Sequence, residues 1–317
     1  MCSLTRTATT CSPPPSSSTK RTCKPPATRA CWGEVPVSDR PLITGATRVA
    51  AVIGSPVRHS LSPALHNAAF AQLGIDWVYT AFEVAPGSAA GALAAMRVLG
   101  LGGLSVTMPH KEAVAAAVDS LDPAASALRS VNTVAPQADG SLKGYSTDGA
   151  GFVASLAARG VAVAGRTVCL LGAGAAARSI ADALARAGAA RIAVLNRTFS
   201  TAQDTVRLAG DVGVHGTAAD VGTADLVVNA TSIGMGSDEL PCDVSLLRPQ
   251  QVVADVVYHP RQTALLRAAL AVGATTVDGL GMLVHQAALQ QQVWHGALPD
   301  VAAMEAAAER ELAARRQ

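Results

Sequence analysis

From Arg48 onward, short apolar runs alternate with longer segments whose apolar residues recur at helical spacing. The runs read as strands at Arg48–Gly54, Trp77–Val84, Leu104–Met108, Thr167–Leu171, Arg191–Leu195, Ala224–Ala230, Val252–Tyr258 and Thr275–Val277. Between them the spacing predicts helices over Pro63–Leu73, Ser88–Leu99, Glu112–Ser120, Ala124–Leu128 and Gly149–Arg159. A further helix starts at Ala175 and is ended by Gly188, and two more close the chain at Leu280–Trp294 and Val301–Arg315. Ser62 reads as an N-cap with Pro63 in the first helical position. Val131–Ala135 and Leu142–Tyr145 alternate around Asp139-Gly140, a hairpin signal. Strands alternating with helices predict α/β architecture with mostly parallel sheets.

One stretch, Arg166–Thr198, says more. An apolar strand runs into Gly172-Ala173-Gly174, a helix follows, and a second strand ends in Asn196-Arg197-Thr198. Gly172 takes the tight turn, and Gly174 lets backbone amides approach a pyrophosphate seated on the helix N-terminus. Ala177 stands in the third small position of the G-x-G-x-x-[GA] fingerprint, and the strand before and helix after it support a dinucleotide site. An NAD site wants an acid at the end of the second strand for the ribose 2′-hydroxyl. The chain offers Asn196, Arg197 and Thr198 instead, a set suited to a 2′-phosphate and hence to NADP(H).

Composition narrows the field. The 317 residues are 50% hydrophobic, enough for one large core or two ordinary ones, and carry a net charge of +2, no reason to invoke nucleic acid or a membrane surface. No apolar run is long enough to span a bilayer. Residues 1–45 are rich in Ser, Thr, Pro and Arg and lack an apolar signal segment, so a disordered extension is expected there, and the chain is expected to be cytoplasmic. Cys2, Cys11, Cys23 and Cys31 lie in it; with Cys169 and Cys242 they make no disulfide framework or zinc pattern, and the histidines show no metal-ligand spacing. His110 and His285 flank site candidates and are expected near the cleft. Beyond the tail the only lysines are Lys111 and Lys143, in a chain that otherwise uses Arg for its surface cations.

The chemistry-bearing residues sit at element ends. Ser60 and Ser62 precede a helix N-terminus and suit a small carboxylate. Thr107 and Lys111 lie where ligands collect in open α/β sheets, and a lysine in a cleft can give a proton to an oxygen that receives a hydride. Asn132 and Asp148 also fall at strand ends, and Asp148 beside Lys111 would orient its ammonium; Tyr258 and Gln286 are further candidates to face the cleft.

Taken in order, SPVRHSLSP, VTMPHK, VNT, STDGAG, GAGAAAR, NRT, NATSIGM, DVVY and DGLGMLVHQAA resemble the motif series of the shikimate dehydrogenase (shikimate/quinate dehydrogenase) family over residues 48–300. The resemblance implies reversible NADPH-dependent reduction of 3-dehydroshikimate to shikimate, a step toward chorismate and the aromatic amino acids. It implies a substrate domain over 46–147 plus 279–317 and a doubly wound Rossmann-type NADP domain over 148–278, in a monomer or homodimer. Lys111 and Asp148 would be catalytic. Ser60, Ser62 and Tyr258 would hold the substrate carboxylate, and Thr107, Asn132 and Gln286 its ring hydroxyls or the Lys–Asp pair. Gly172, Ala173, Gly174, Ala175, Ala176 and Ala177 would carry the pyrophosphate, and Asn196, Arg197 and Thr198 the 2′-phosphate. Thr231, Gly279 and Met282 would complete the cofactor set.

Two departures keep alternatives open. Ser105 and Ser146 stand where the family commonly has Asn, and Thr201 stands where many members carry a second Arg. A quinate/shikimate dehydrogenase with relaxed NAD/NADP use, or a non-catalytic NADP-binding regulator of the same fold, would share the remaining motifs.

Overall fold

The computed structural model describes residues 43–315, so the extension expected over 1–45, with its four cysteines, lies almost wholly outside the described residues. Two six-stranded sheets organise the rest. The first part runs β1 (Arg48–Gly54), α1 (Ser62–Leu73), β2 (Trp77–Glu83), α2 (Ala89–Leu99), β3 (Gly103–Val106), α3 (Lys111–Ala117), β4 (Ser120–Leu121), α4 (Pro123–Leu128), β5 (Thr133–Pro136) and β6 (Leu142–Tyr145). Helix α5 (Asp148–Ala158) leads to β7 (Thr167–Leu171), α6 (Ala175–Arg186), β8 (Arg191–Leu195), α7 (Phe199–Leu208), β9 (Gly213–His215), α8 (Ala219–Thr223), β10 (Leu226–Asn229), β11 (Val252–Asp255), α9 (Ala264–Ala271) and β12 (Thr275–Val277). Helices α10 (Gly279–His295) and α11 (Val301–Ala314) end the chain.

The second sheet is parallel throughout, in the order β12-β11-β10-β7-β8-β9. Renumbered within the sheet, this is the doubly wound dinucleotide-binding order. Its strands are apolar on both faces because both are covered: Val168 and Leu170 join Ile180 and Leu184 of α6, while Cys169 and Leu171 join Leu265 and Leu266 of α9. Each such side chain contributes roughly 1.5–3 kcal/mol of burial.

The first sheet is mostly parallel, as expected, with the expected hairpin set into it. Its order is β2-β1-β3-β5-β6-β4, and β5 runs antiparallel to both β3 and β6. The local cause is the Asp139-Gly140 turn: Asp139 accepts from the Ser141 backbone and hydroxyl, which folds β6 back on β5 before a helix can intervene. The helix expected over Glu112–Ser120 stops at Ala117, because Ser120 and Leu121 pair with β6. The strand expected over Leu104–Met108 ends at Val106, and the one over Val252–Tyr258 ends at Asp255, whose carboxylate accepts from the Val257 amide and the Thr263 hydroxyl and turns the chain. Helices α7 and α9 were not anticipated; Thr263 caps α9 by accepting from the Leu266 amide.

Helix α5 fits between α6 and α10 through its glycines. A Cβ on Gly149 would lie 2.1 Å from the Ser179 carbonyl oxygen of α6, and one on Gly151 would lie 2.6 Å from the Gln286 amide of α10. Helices α10 and α11 pack against α1, with Leu280, Val284, Met304 and Ala308 around Leu61 and Leu65. No helix among the described residues is long and apolar enough to cross a membrane.

One buried group gives the fold a pH dependence. His66 of α1 is fully enclosed, stacked on Tyr79 at 4.1 Å, and burial drives its pKa down to about 3. The unfolded chain takes up this proton near pH 6.5, while the folded chain refuses it until about pH 3. His66 therefore costs nothing above about pH 7.5, and below about pH 6 it removes roughly 1.4 kcal/mol of stability per pH unit. His66→Phe is expected to flatten the fall in the urea midpoint between about pH 6 and 4; an unchanged slope would exclude His66 as its source.

Candidate active site

The C-terminal ends of β1 and β3, the start of α5 and one face of α10 enclose a cleft of about 320 Å³. Lys111 enters from the first turn of α3, and its Nζ lies 2.5 Å from Asp148 Oδ2. Both side chains are mostly shielded, with 21% and 15% of their surface exposed, so little water screens the pair. Asn132 holds the carboxylate from its other side, its Nδ2 donating to Asp148 Oδ1 at 2.7 Å. The Asn132 amide is itself fixed, because its Oδ1 accepts from the Thr133 hydroxyl and the Thr147 backbone amide. Residues 37 apart in the chain meet because β3 and β5 are sheet neighbours and β6 leads directly into α5.

Ser60 and Ser62 line the same cleft, with Thr107, Tyr258 and Gln286. The reading of Ser62 as an N-cap is corrected. The chain enters α1 one residue earlier, Leu61 occupies the cap position, and no side chain caps the helix. Ser60 Oγ instead accepts from the Ser62 amide at 3.2 Å, and the Ser62 hydroxyl is left at the cleft wall. Arg315 anchors this loop by donating to the His59 and Ser60 carbonyls. Tyr258 lies beyond its strand rather than at the strand end; burial pushes its phenol up, and the Arg315 charge pulls it partly back. Gln286 Nε2 donates to the Leu283 carbonyl and its Oε1 faces Asn132.

The glycine turn lies at the point where the strand order of the second sheet reverses, between β7 and β10. Gly172 has φ +104°, and a Cβ there would lie 2.8 Å from Thr231 Cγ2, which brings Thr231 onto the same crevice. A Cβ on Gly174 would meet nothing within 4 Å, and no side chain caps α6, so the first amides of the helix face open space. Such a cradle fits a pyrophosphate. Ala173 and Ala177 are buried behind the turn, Ala175 starts the helix, and Ala176, Gly279 and Met282 reach the main cleft. Asn196, Arg197 and Thr198 stand apart from it, beyond β8; Asn196 donates to the Thr198 carbonyl, and Arg197 and Thr198 are exposed.

Three polar cleft residues were missed from sequence: His59, Gln290 and, as a site residue, Ser105. Gln290 carried a usable signal, since it follows Gln286 by one helical turn on the face that also bears Met282. His110 and His285 do not line the cleft. His110 is buried with Nε2 2.8 Å from the Val84 carbonyl, and His285 Nδ1 lies 2.8 Å from the Gly281 carbonyl. Among the described residues no cluster of acids, histidines and cysteines could hold a metal ion.

Comparison with known proteins finds three family models along the chain. They are the shikimate dehydrogenase substrate binding domain at residues 52–134, shikimate / quinate 5-dehydrogenase at 155–234, and the shikimate 5'-dehydrogenase C-terminal domain at 279–309. A shikimate dehydrogenase (NADP(+)) from Rubrobacter xylanophilus is 45% identical over 273 residues, 83% of this chain and 96% of the relative. The crystal structure of shikimate 5-dehydrogenase from Thermus thermophilus in complex with NADP(H) and shikimate superposes with a TM-score of 0.77 at 38% identity, covering 83% of this chain and 99% of that one. A quinate dehydrogenase from Corynebacterium glutamicum in complex with NAD superposes with a TM-score of 0.76 at 33% identity, covering 82% and 98%.

Proposed function

The chain belongs to the shikimate dehydrogenase family, and from that premise we propose that Lys111 and Asp148 carry the proton step of a reversible, NADP-dependent reduction of 3-dehydroshikimate to shikimate. It is an oxidoreductase acting on a CH–OH group with NADP as its cofactor. The observation that carries the residue assignment is the 2.5 Å Lys111–Asp148 pair inside a cleft whose other walls are hydroxyls and amides.

When bound, NADPH supplies the hydride to the substrate ketone. The chain's own residues do the rest. Gly172, Gly174 and the first amides of α6 would hold the pyrophosphate, with Thr231 beside them; Asn196, Arg197 and Thr198 would take the 2′-phosphate. Met282 and Gly279, at the cleft end of α10, would bound the nicotinamide. Ser60, Ser62 and Tyr258 would fix the substrate carboxylate through hydroxyl donors, and Thr107, Asn132 and Gln286 would meet the ring hydroxyls. Lys111 donates a proton to the carbonyl oxygen as that oxygen gains charge, and Asp148, oriented by Asn132, keeps the ammonium aimed there. In the reverse direction neutral Lys111 receives the proton of the shikimate hydroxyl. We assign 46–147 with 279–317 to the substrate side, supported by the packing of α10 and α11 on α1, and 148–278 to the cofactor side.

The deciding experiment compares kcat/KM for shikimate and quinate with NADP and with NAD. Shikimate with NADP is expected to lead; a lead for quinate with NAD would transfer the chain to the reading that Ser105 and Ser146 motivate for quinate and Thr201 for relaxed cofactor use. Arg197 tests cofactor choice separately. Arg197→Ala is expected to raise the NADP Kd about ten-fold or more, by removing a charge-assisted contact, while the NAD Kd stays within about two-fold. Equal losses for both cofactors would remove Arg197 from the 2′-phosphate.

A further inference from the structure

Behind the cleft a chain of buried polar groups has its hydrogen-bond direction fixed from one end. Gln290 Nε2 donates to the Asn132 carbonyl at 3.2 Å, so the Gln290 amide cannot flip without setting two oxygens against each other. Its Oε1 therefore faces Ser105, 2.6 Å away, and the Ser105 hydroxyl must donate to it. With that proton spent, Ser105 Oγ can only accept from the Tyr79 hydroxyl, also at 2.6 Å. All three side chains are buried, yet Ser105 and Gln290 both border the cleft. Burial pushes the Tyr79 phenol well above its ordinary range, which keeps it a donor at any working pH.

Ser105 thus has one lone pair left and no proton to offer. We propose that the Tyr79–Ser105–Gln290 chain makes Ser105 an obligate hydrogen-bond acceptor that reads one non-reacting ring hydroxyl of the substrate, so that this position of the cleft selects a hydroxyl and rejects a carbonyl, ether or halogen. The inference rests on the functional reading above, since it needs a hydroxylated ring in this cleft. Gln290 and Tyr79 are positioning residues: they set the polarity of Ser105. The same chain ends on Asn132, whose side chain holds Asp148, so the hydroxyl reader and the catalytic carboxylate share one fixed frame.

The test uses the full chain with shikimate and two analogues, each bearing fluorine in place of one of the hydroxyls that do not react. Fluorine has no proton to give to Ser105. The wild type is expected to prefer shikimate over one of the two analogues by about 100-fold or more in kcat/KM, as a site built to pair a hydroxyl rejects a partner that leaves it unpaired. Gln290→Met frees the Ser105 proton to turn toward the ligand, and is expected to lower that ratio about ten-fold or more. Ser105→Ala removes the reader and should lower the same ratio, so the proposal stays testable if one variant folds poorly; NADP affinity reports folding of each. Acceptance of both analogues within about three-fold by the wild type, or a ratio that neither variant changes, would overturn the proposal. A wild-type chain that turns over neither shikimate nor its analogues overturns the functional reading itself, and this inference with it.

Discussion

Replacing Lys111 with methionine is expected to lower kcat about 10³-fold while the NADP Kd stays within about two-fold. Methionine keeps the unbranched stem and deletes only the ammonium, so cleft packing survives and the proton donor does not. No other proton donor pairs with Asp148: the groups facing Asp148 Oδ1 and Oδ2 are the Asn132 amide, which cannot give up a proton, and Lys111 itself. Asp148→Asn separates donation from aim. It leaves the ammonium in place but turns an acceptor of two donors into an amide that also presents hydrogens to Lys111 and Asn132. A loss in kcat smaller than that of Lys111→Met is the result that fits the roles assigned. Stopped-flow measurement of NADPH oxidation with 3-dehydroshikimate checks both. A Lys111→Met enzyme with more than about a tenth of wild-type kcat would end the assignment of Lys111 as donor.

A large structural effect is expected at Gly151. Valine there would drive a Cβ into the Gln286 backbone amide and Cα, at 2.6 and 2.7 Å, and neither can swing aside as a side chain can. The cost is about 3 kcal/mol or more, equivalent to a Tm lower by about 5 °C or more in a chain of this size. Because α10 carries Gln286 and Gln290 into the cleft, the shikimate KM should rise as well, at temperatures where the variant is still folded. Gly91 on the exposed face of α2 is the control. A Cβ there meets nothing within 4 Å, so Gly91→Ala should hold or raise the Tm, by about 0.4–1 kcal/mol in stability. Differential scanning calorimetry of the two variants tests the contrast; a Gly151→Val protein that melts with the wild type would show that α5 and α10 are free to separate.

Elements bounded by strong punctuation were legible from sequence. Thr167–Leu171, Arg191–Leu195, Leu142–Tyr145 and Thr275–Val277 are strands at the residues expected, and the glycine turn leads into α6 as read. Boundaries failed where a side chain took over from the backbone ladder. Asp255 ends β11 by accepting from the chain beyond it, which no apolar pattern announces. The hairpin that holds β5 was visible, but its antiparallel docking beside β3 is a tertiary event. The separate stretches bearing Lys111, Asn132 and Asp148 were each readable, while their meeting depended on sheet order. Gln290 escaped because a glutamine on a long helix looks like solvent-facing surface until the strand it lies against is known.

Met282, Gln286 and Gln290 reach the cleft from successive turns of α10, each about 6 Å further along the axis. A single inserted or deleted residue between Met282 and Gln290 would rotate everything downstream by about 100° and take Gln290 off that face altogether. Loops around the two sheets carry no such penalty for a change of length, but this segment acts as a ruler whose graduations must keep their count, and it accommodates exchange of one side chain for another more readily than insertion or deletion.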